Sequence, residues 1–257
     1  MKYSGIIAGI LFVLFLMTVT ACGGGGTSGS NGTTSGTFSS IRMEAVTEGT
    51  NTPIDPSNVF VNEIIRFRLT GVDSGTNTRV VIPTSNYNLT GSPDGALDST
   101  GMFTASSSSS GNIGVVHVTF DTISYQYGVK VVVPQAVIKG FARTTEGFPG
   151  TGVQVNALNS GGTVVGSGFV ASDGTIRFST SATAVKFTTN FGIVDPGPNL
   201  YYVRQFAYGG KDYSTTITTC TAPLPSLTNG VTTNLATTVV FYRNASGFPP
   251  PPPDGCQ

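Results

Sequence analysis

With 257 residues, the chain has room for two modest domains once an export segment and a tether are set aside. Its 13 Lys and Arg balance 13 Asp and Glu, so there is no basic field to hold a nucleic-acid backbone, and nucleic acid is excluded from the expected partners. Charged residues are only 10% of a Gly-, Ser- and Thr-rich sequence, which suits short strands and turns and argues against long amphipathic helices.

The N-terminus carries one charge, Lys2, and is then apolar from Ile6 to Val19. That run is shorter than the roughly 20 residues that span a bilayer, and its proportions are those of a secretory signal peptide. Val19-Thr20-Ala21-Cys22 resembles a lipobox, in which small residues precede a cysteine that is acylated before cleavage on its N-terminal side. The resemblance implies a signal peptide at residues 1–21, lipid attachment at Cys22 and an exported, membrane-anchored protein of the cell envelope. Gly23 follows where an Asp would resemble an inner-membrane retention signal, so the outer membrane is the expected destination, with either face open. Several acyl chains, at about 0.8 kcal/mol per buried methylene, would supply the anchorage.

Residues 22–40 form a Gly-, Ser- and Thr-rich tether with one large apolar side chain, Phe38, too little to drive ordering. A coil of this composition and length has an r.m.s. span of roughly 25 Å. Its glycines are no phosphate cradle, since neither a preceding strand nor a following Lys-Ser/Thr pair accompanies them.

From Ile41 the sequence changes to short alternating runs. In Ile65-Arg66-Phe67-Arg68-Leu69 the apolar residues share one face and the arginines the other; Val116 to Phe120 repeats the pattern, and Val129 to Val133 ends before Pro134. Turn residues separate these runs at Ser92-Pro93-Asp94-Gly95 and Ser110-Gly111-Asn112. The segment Leu97-Asp98-Ser99-Thr100-Gly101-Met102-Phe103-Thr104-Ala105, followed by a Gly-containing turn and the strand around Val116, resembles bacterial immunoglobulin-like domains of group 2. That likeness implies a sandwich over residues 41–134 in which this segment is a turn leading into a strand.

A second set of strands follows over residues 135–243: Val137 to Ala142, Val153 to Ala157, and Thr175-Ile176-Arg177-Phe178 after the tight turn Asp173-Gly174. The order resembles the prealbumin-like carboxypeptidase regulatory-like domain, which implies a spacer, stabilising or binding module. Long loops are expected at Asp195-Pro196-Gly197-Pro198 and from Cys220 to Gly230, with a last strand around Val239 to Tyr242. The expected fold class is therefore all-β, two tandem antiparallel sandwiches of immunoglobulin-like type. A Pro-rich tail occupies residues 244–257, with Pro249 to Pro253 as a stiff rod. In an oxidising compartment Cys220 and Cys256 remain as an even pair, and the expectation is a disulfide that pins the tail, with a stabilisation of about 4 kcal/mol in the chain-entropy model.

No catalytic constellation emerges, and the chain is expected not to be an enzyme. His117 is the only histidine and alternates with Val116 and Val118 on a strand, where a structural role suits it. Val165-Gly166-Ser167-Gly168 lacks nucleophile-elbow spacing, and Asp98-Ser99-Thr100-Gly101 occurs once where aspartic-protease chemistry needs two carboxylates. No metal site and no cofactor are expected. Tyr201, Tyr202, Tyr208 and Tyr213, near Phe206, Arg204 and Lys211, are candidate ligand contacts for sugars or peptides; the alternative is that they fill the second core. Two functional readings stand: a structural, adhesive or scaffold lipoprotein with an envelope protein as partner, and a lipoprotein that captures a glycan or peptide through its second sandwich.

Overall fold

The computed structural model describes residues 37–190, 192–194, 201–215 and 220–244, with side chains for all of these except 192–194, 201, 202, 243 and 244. Within them the chain is all-β, and along Ile113–Phe120 and Ile123–Val132 buried side chains recur at every second position because successive residues of a pleated strand point to opposite faces.

The first sandwich holds β1 (Phe38–Thr47), β2 (Pro53–Ile54), β3 (Val59–Phe60), β4 (Ile64–Asp73), β5 (Arg79–Ile82), β6 (Asn88–Gly91), β7 (Gly95–Leu97), β8 (Met102–Ala105), β9 (Ile113–Phe120) and β10 (Ile123–Val132). One sheet runs β2-β1-β4-β8-β7, with β5 also on β4, and the facing sheet runs β3-β10-β9-β6. Ile65, Phe67 and Leu69 of β4 are buried between the sheets with Met43, Phe103, Val116 and Val129. Arg66 and Arg68 lie on the other face of β4, where they pair with Glu48 and Glu44 at 3.0 and 2.8 Å. The alternation read from residues 65–69 is thus the face assignment of the folded strand. β1 starts at Phe38, inside the segment read as tether, because Phe38 packs against Phe120 with ring centroids 6.4 Å apart.

The Asp98-Ser99-Thr100-Gly101 segment is the β7–β8 turn. The Asp98 carboxylate accepts from the Thr100 N–H, the Thr100 hydroxyl and the Met102 N–H, and Gly101 takes φ +90°. A Cβ at Gly101 would stand 2.5 Å from the Phe67 carbonyl, so the turn needs glycine on both counts.

The second sandwich holds β11 (Ala136–Thr144), β12 (Gln154–Leu158), β13 (Val164–Phe169), β14 (Thr175–Thr180), β15 (Lys186–Thr189), β16 (Gly192–Val194), β17 (Tyr201–Tyr208), β18 (Lys211–Ser214), β19 (Ala222–Pro223), β20 (Thr232–Asn234) and β21 (Val239–Asn244). Its strands join in one continuous sheet, β16-β17-β21-β11-β14-β13-β12-β15-β19, with β18 on β17 and β20 on β11. The sheet closes over a core that takes Val155, Phe178 and Phe187 from one part and Val203, Phe206 and Phe241 from the other. Pairing is antiparallel except at β3–β10, β20–β11 and β21–β11, which are parallel. The two cores share no residue and divide on either side of Val133-Pro134-Gln135.

Candidate functional site

Among the described residues no group of three or more His, Cys, Asp or Glu side chains is placed to hold a metal ion. His117 lies on β9, beside Asn88 on β6 and Gln126 on β10, and its Nε2 is 2.9 Å from the Thr90 hydroxyl. Among the described residues the ring's hydrogen-bond partner is this hydroxyl on the neighbouring strand, a pairing that suits a structural role.

The tyrosines divide. Tyr208 and Tyr213 are buried in the second core: Tyr208 meets Phe187 edge-on at 5.0 Å, and Tyr213 stacks on Phe206 at 5.1 Å. Their rings are committed to packing: beyond a register shift that follows Val203, β17 turns Phe206 and Tyr208 inward, and β18 adds Tyr213 to the same core. The Tyr208 hydroxyl accepts the Ala236 N–H at 3.1 Å, which satisfies its polar tip. The backbones of Tyr201 and Tyr202 belong to β17, and their side chains lie outside the described residues. Cys220 is fully buried, and its Sγ accepts the Ser214 N–H at 2.9 Å. Cys22 and Cys256 lie outside the described residues.

Among the described residues a dense polar arrangement lies at the joint between the two sandwiches, at positions that were not singled out as a site from the sequence. It is built around a one-turn 3-10 helix, Pro56–Asn58, capped by Asp55. Proline at the first helical position lacks the N–H that would go unpaired there, and the Asp55 carboxylate receives the Ser57 N–H at 2.9 Å. The same carboxylate accepts the Ser57 hydroxyl at 2.8 Å, the Asn58 side-chain amide at 3.1 Å and, from the second sandwich, the Phe169 N–H at 2.7 Å. Burial pushes the Asp55 carboxyl above its ordinary range, against these hydrogen bonds, each of which favours the charged form.

Asn58 bridges two strands of the second domain. Its amide nitrogen donates to the Ser167 carbonyl of β13 at 3.0 Å, and its Oδ1 accepts the Ser179 N–H of β14 at 3.4 Å. Beside it Arg177 forms an ion pair with Glu63 at 3.0 Å and lies 3.8 Å over the ring of Phe60. Glu63 also accepts the Phe60 N–H at 2.9 Å, which orients the acid toward the arginine. At the rim the Ser172 hydroxyl donates to Glu44 at 2.9 Å, and Arg68 holds the other oxygen of that buried carboxylate. Asp55 directly before Pro56 and Ser57 is the local signal that could have located the capped turn, and it was passed over in the sequence; nothing local states that these side chains face another domain.

No family model matches the chain, and no curated protein matches it. Three solved structures resemble it at low identity. The crystal structure of BcpA, the major pilin subunit of Bacillus cereus, is 9% identical, with 80% of this chain and 71% of that chain covered and a TM-score of 0.27. Its D312A variant is 11% identical over 79% and 70%, at 0.24. The Bacillus anthracis TIE protein is 10% identical, with 82% of this chain and 56% of that one covered, at 0.26.

Proposed function

We propose that the chain is a non-catalytic lipoprotein of the cell envelope, anchored through Cys22, whose two sandwiches act as a structural stalk or scaffold. The observation that carries this reading is the polarity of the first sandwich. The chain enters it at Phe38, beside Phe120 and the β9–β10 hairpin, and leaves it at Val132, at the other end of β10. A ten-residue strand rises roughly 33 Å, so the first domain holds the second about that far beyond the end of the tether. Entry and exit at opposite ends suit a spacer. Capture through the Tyr-rich segment is less well supported, because two of its four candidate rings are core residues.

Fractionation of cells expressing the full chain tests the anchor. Wild type is expected in the membrane fraction, with an acylated N-terminal peptide beginning at Cys22 by mass spectrometry. The Cys22→Ser variant is expected to leave that fraction. An unmodified Cys22 in membrane-associated protein would refute lipid anchorage and, with it, the stalk.

A further inference from the structure

We infer that residues 55–58 form a latch that completes the second sandwich, so that the two domains hold one fixed orientation. The inference deepens the stalk reading by assigning its stiffness to named groups. It starts from an irregularity in the second sheet: β13 and β14 are neighbours but share a single ladder pair, Gly166 with Thr180. Next to that pair, the Ser167 carbonyl, the Phe169 N–H and the Ser179 N–H take side-chain partners from the first domain.

The chemistry of those partners matches what a strand would have supplied. The side-chain amide of Asn58 carries one donor and one acceptor, as a peptide group does, and it uses the donor on β13 and the acceptor on β14. The Asp55 carboxylate takes the next β13 donor, Phe169. Buried backbone groups left without partners are costly, so separating the domains would expose this edge to water or leave it unsatisfied. The latch is itself held by its own cap, since Ser57 and Asn58 also donate to Asp55. Val133-Pro134-Gln135 adds a short covalent connection, with the Gln135 N–H bonded to the Ser179 hydroxyl at 3.0 Å.

The second domain contains its own control. The Val170 N–H, one residue beyond Phe169, donates to the Val153 carbonyl at 3.0 Å, a partner within the second domain. Hydrogen exchange resolved by residue on the complete mature chain therefore tests the latch. In Asp55→Ala the Phe169 amide is expected to exchange about tenfold faster, and in Asn58→Leu the Ser179 amide likewise, with Val170 unchanged in both. Unchanged exchange at Phe169 and Ser179 overturns the latch. Should Asp55→Ala accelerate every amide by unfolding the first domain, Asn58→Leu decides, because it leaves the capping carboxylate in place. Ser179 must then exchange faster than wild type while Val170 does not; any other result overturns the latch. Neither readout depends on lipidation, so failure of the anchor and failure of the latch are told apart.

Discussion

Replacing Arg177 with Met keeps much of the aliphatic stem but removes the ion pair to Glu63 and the guanidinium over Phe60. The two side chains of the pair are 20% and 18% exposed, so solvent screens their attraction only in part. An exposed pair contributes up to about 1 kcal/mol and a hydrogen bond to a charged group about 1.5–3, which places this one near 1.5 kcal/mol. The cation–π contact adds about 0.5 kcal/mol at a partly exposed site. The sum of about 2 kcal/mol corresponds to a fall in Tm of about 4–8 °C for a protein of this size. Urea denaturation of wild type, Arg177→Met, Glu63→Gln and the double variant would isolate the pairwise part, expected near 1–1.5 kcal/mol. A coupling energy below about 0.3 kcal/mol would refute the argument, because the Arg177–Glu63 pair would then add nothing measurable to the hydrogen bonds of Asp55 and Asn58 at the joint.

Acid is expected to weaken the first sandwich through its turns. Asp73, Asp94 and Asp98 are held below the ordinary carboxylate range, Asp73 by Thr76, Asp94 by Ser110 and Asp98 by Thr100. A depressed folded-state pKa contributes stability that is present above the unfolded value, near 4, and is lost as pH falls through the folded value. Asp98→Asn should flatten that part of the stability–pH curve measured by urea denaturation below pH 5, and an unaltered slope would count against the turn assignment. Asp55 acts with the opposite sign, since burial raises its pKa and its ionisation costs stability as pH rises through that value. For the proposed Cys220–Cys256 pairing, protein unfolded without reductant should take no thiol label at either position, and both should label once reduced; labelling of both in the unfolded, unreduced protein would remove the disulfide.

The faces of the strands were legible because burial follows a local rule. Ile65, Phe67 and Leu69 alternate with arginines, and a pleated backbone has only two faces on which to place them. Turns were legible for a similar reason. Asp98 with Gly101 and Asp173 with Gly174 combine a carboxylate that bonds its own neighbours with a glycine at positive φ, all within five residues. The start of β1 was misplaced because Ser39 and Ser40 carry no apolar signal, and Phe38 is ordered by a ring about 80 residues away.

The tyrosines show where local reading stops. A tyrosine suits a core and a binding face equally by composition, and the closing of the second sheet placed Tyr208 and Tyr213 against Phe187 and Phe206. The parallel pairing of β20 and β21 with β11 and the joint were decided only by tertiary structure. Backbone N–H and C=O groups are chemically alike at every residue, so no sequence pattern states which distant group they will meet. The sequence by itself determined that this chain is all-β, which faces its strands bury and where many of its turns fall. Tertiary structure alone decided that the side chains of Asp55 and Asn58 would occupy backbone positions between β13 and β14, because that match depends on where the sheet leaves partners unfilled.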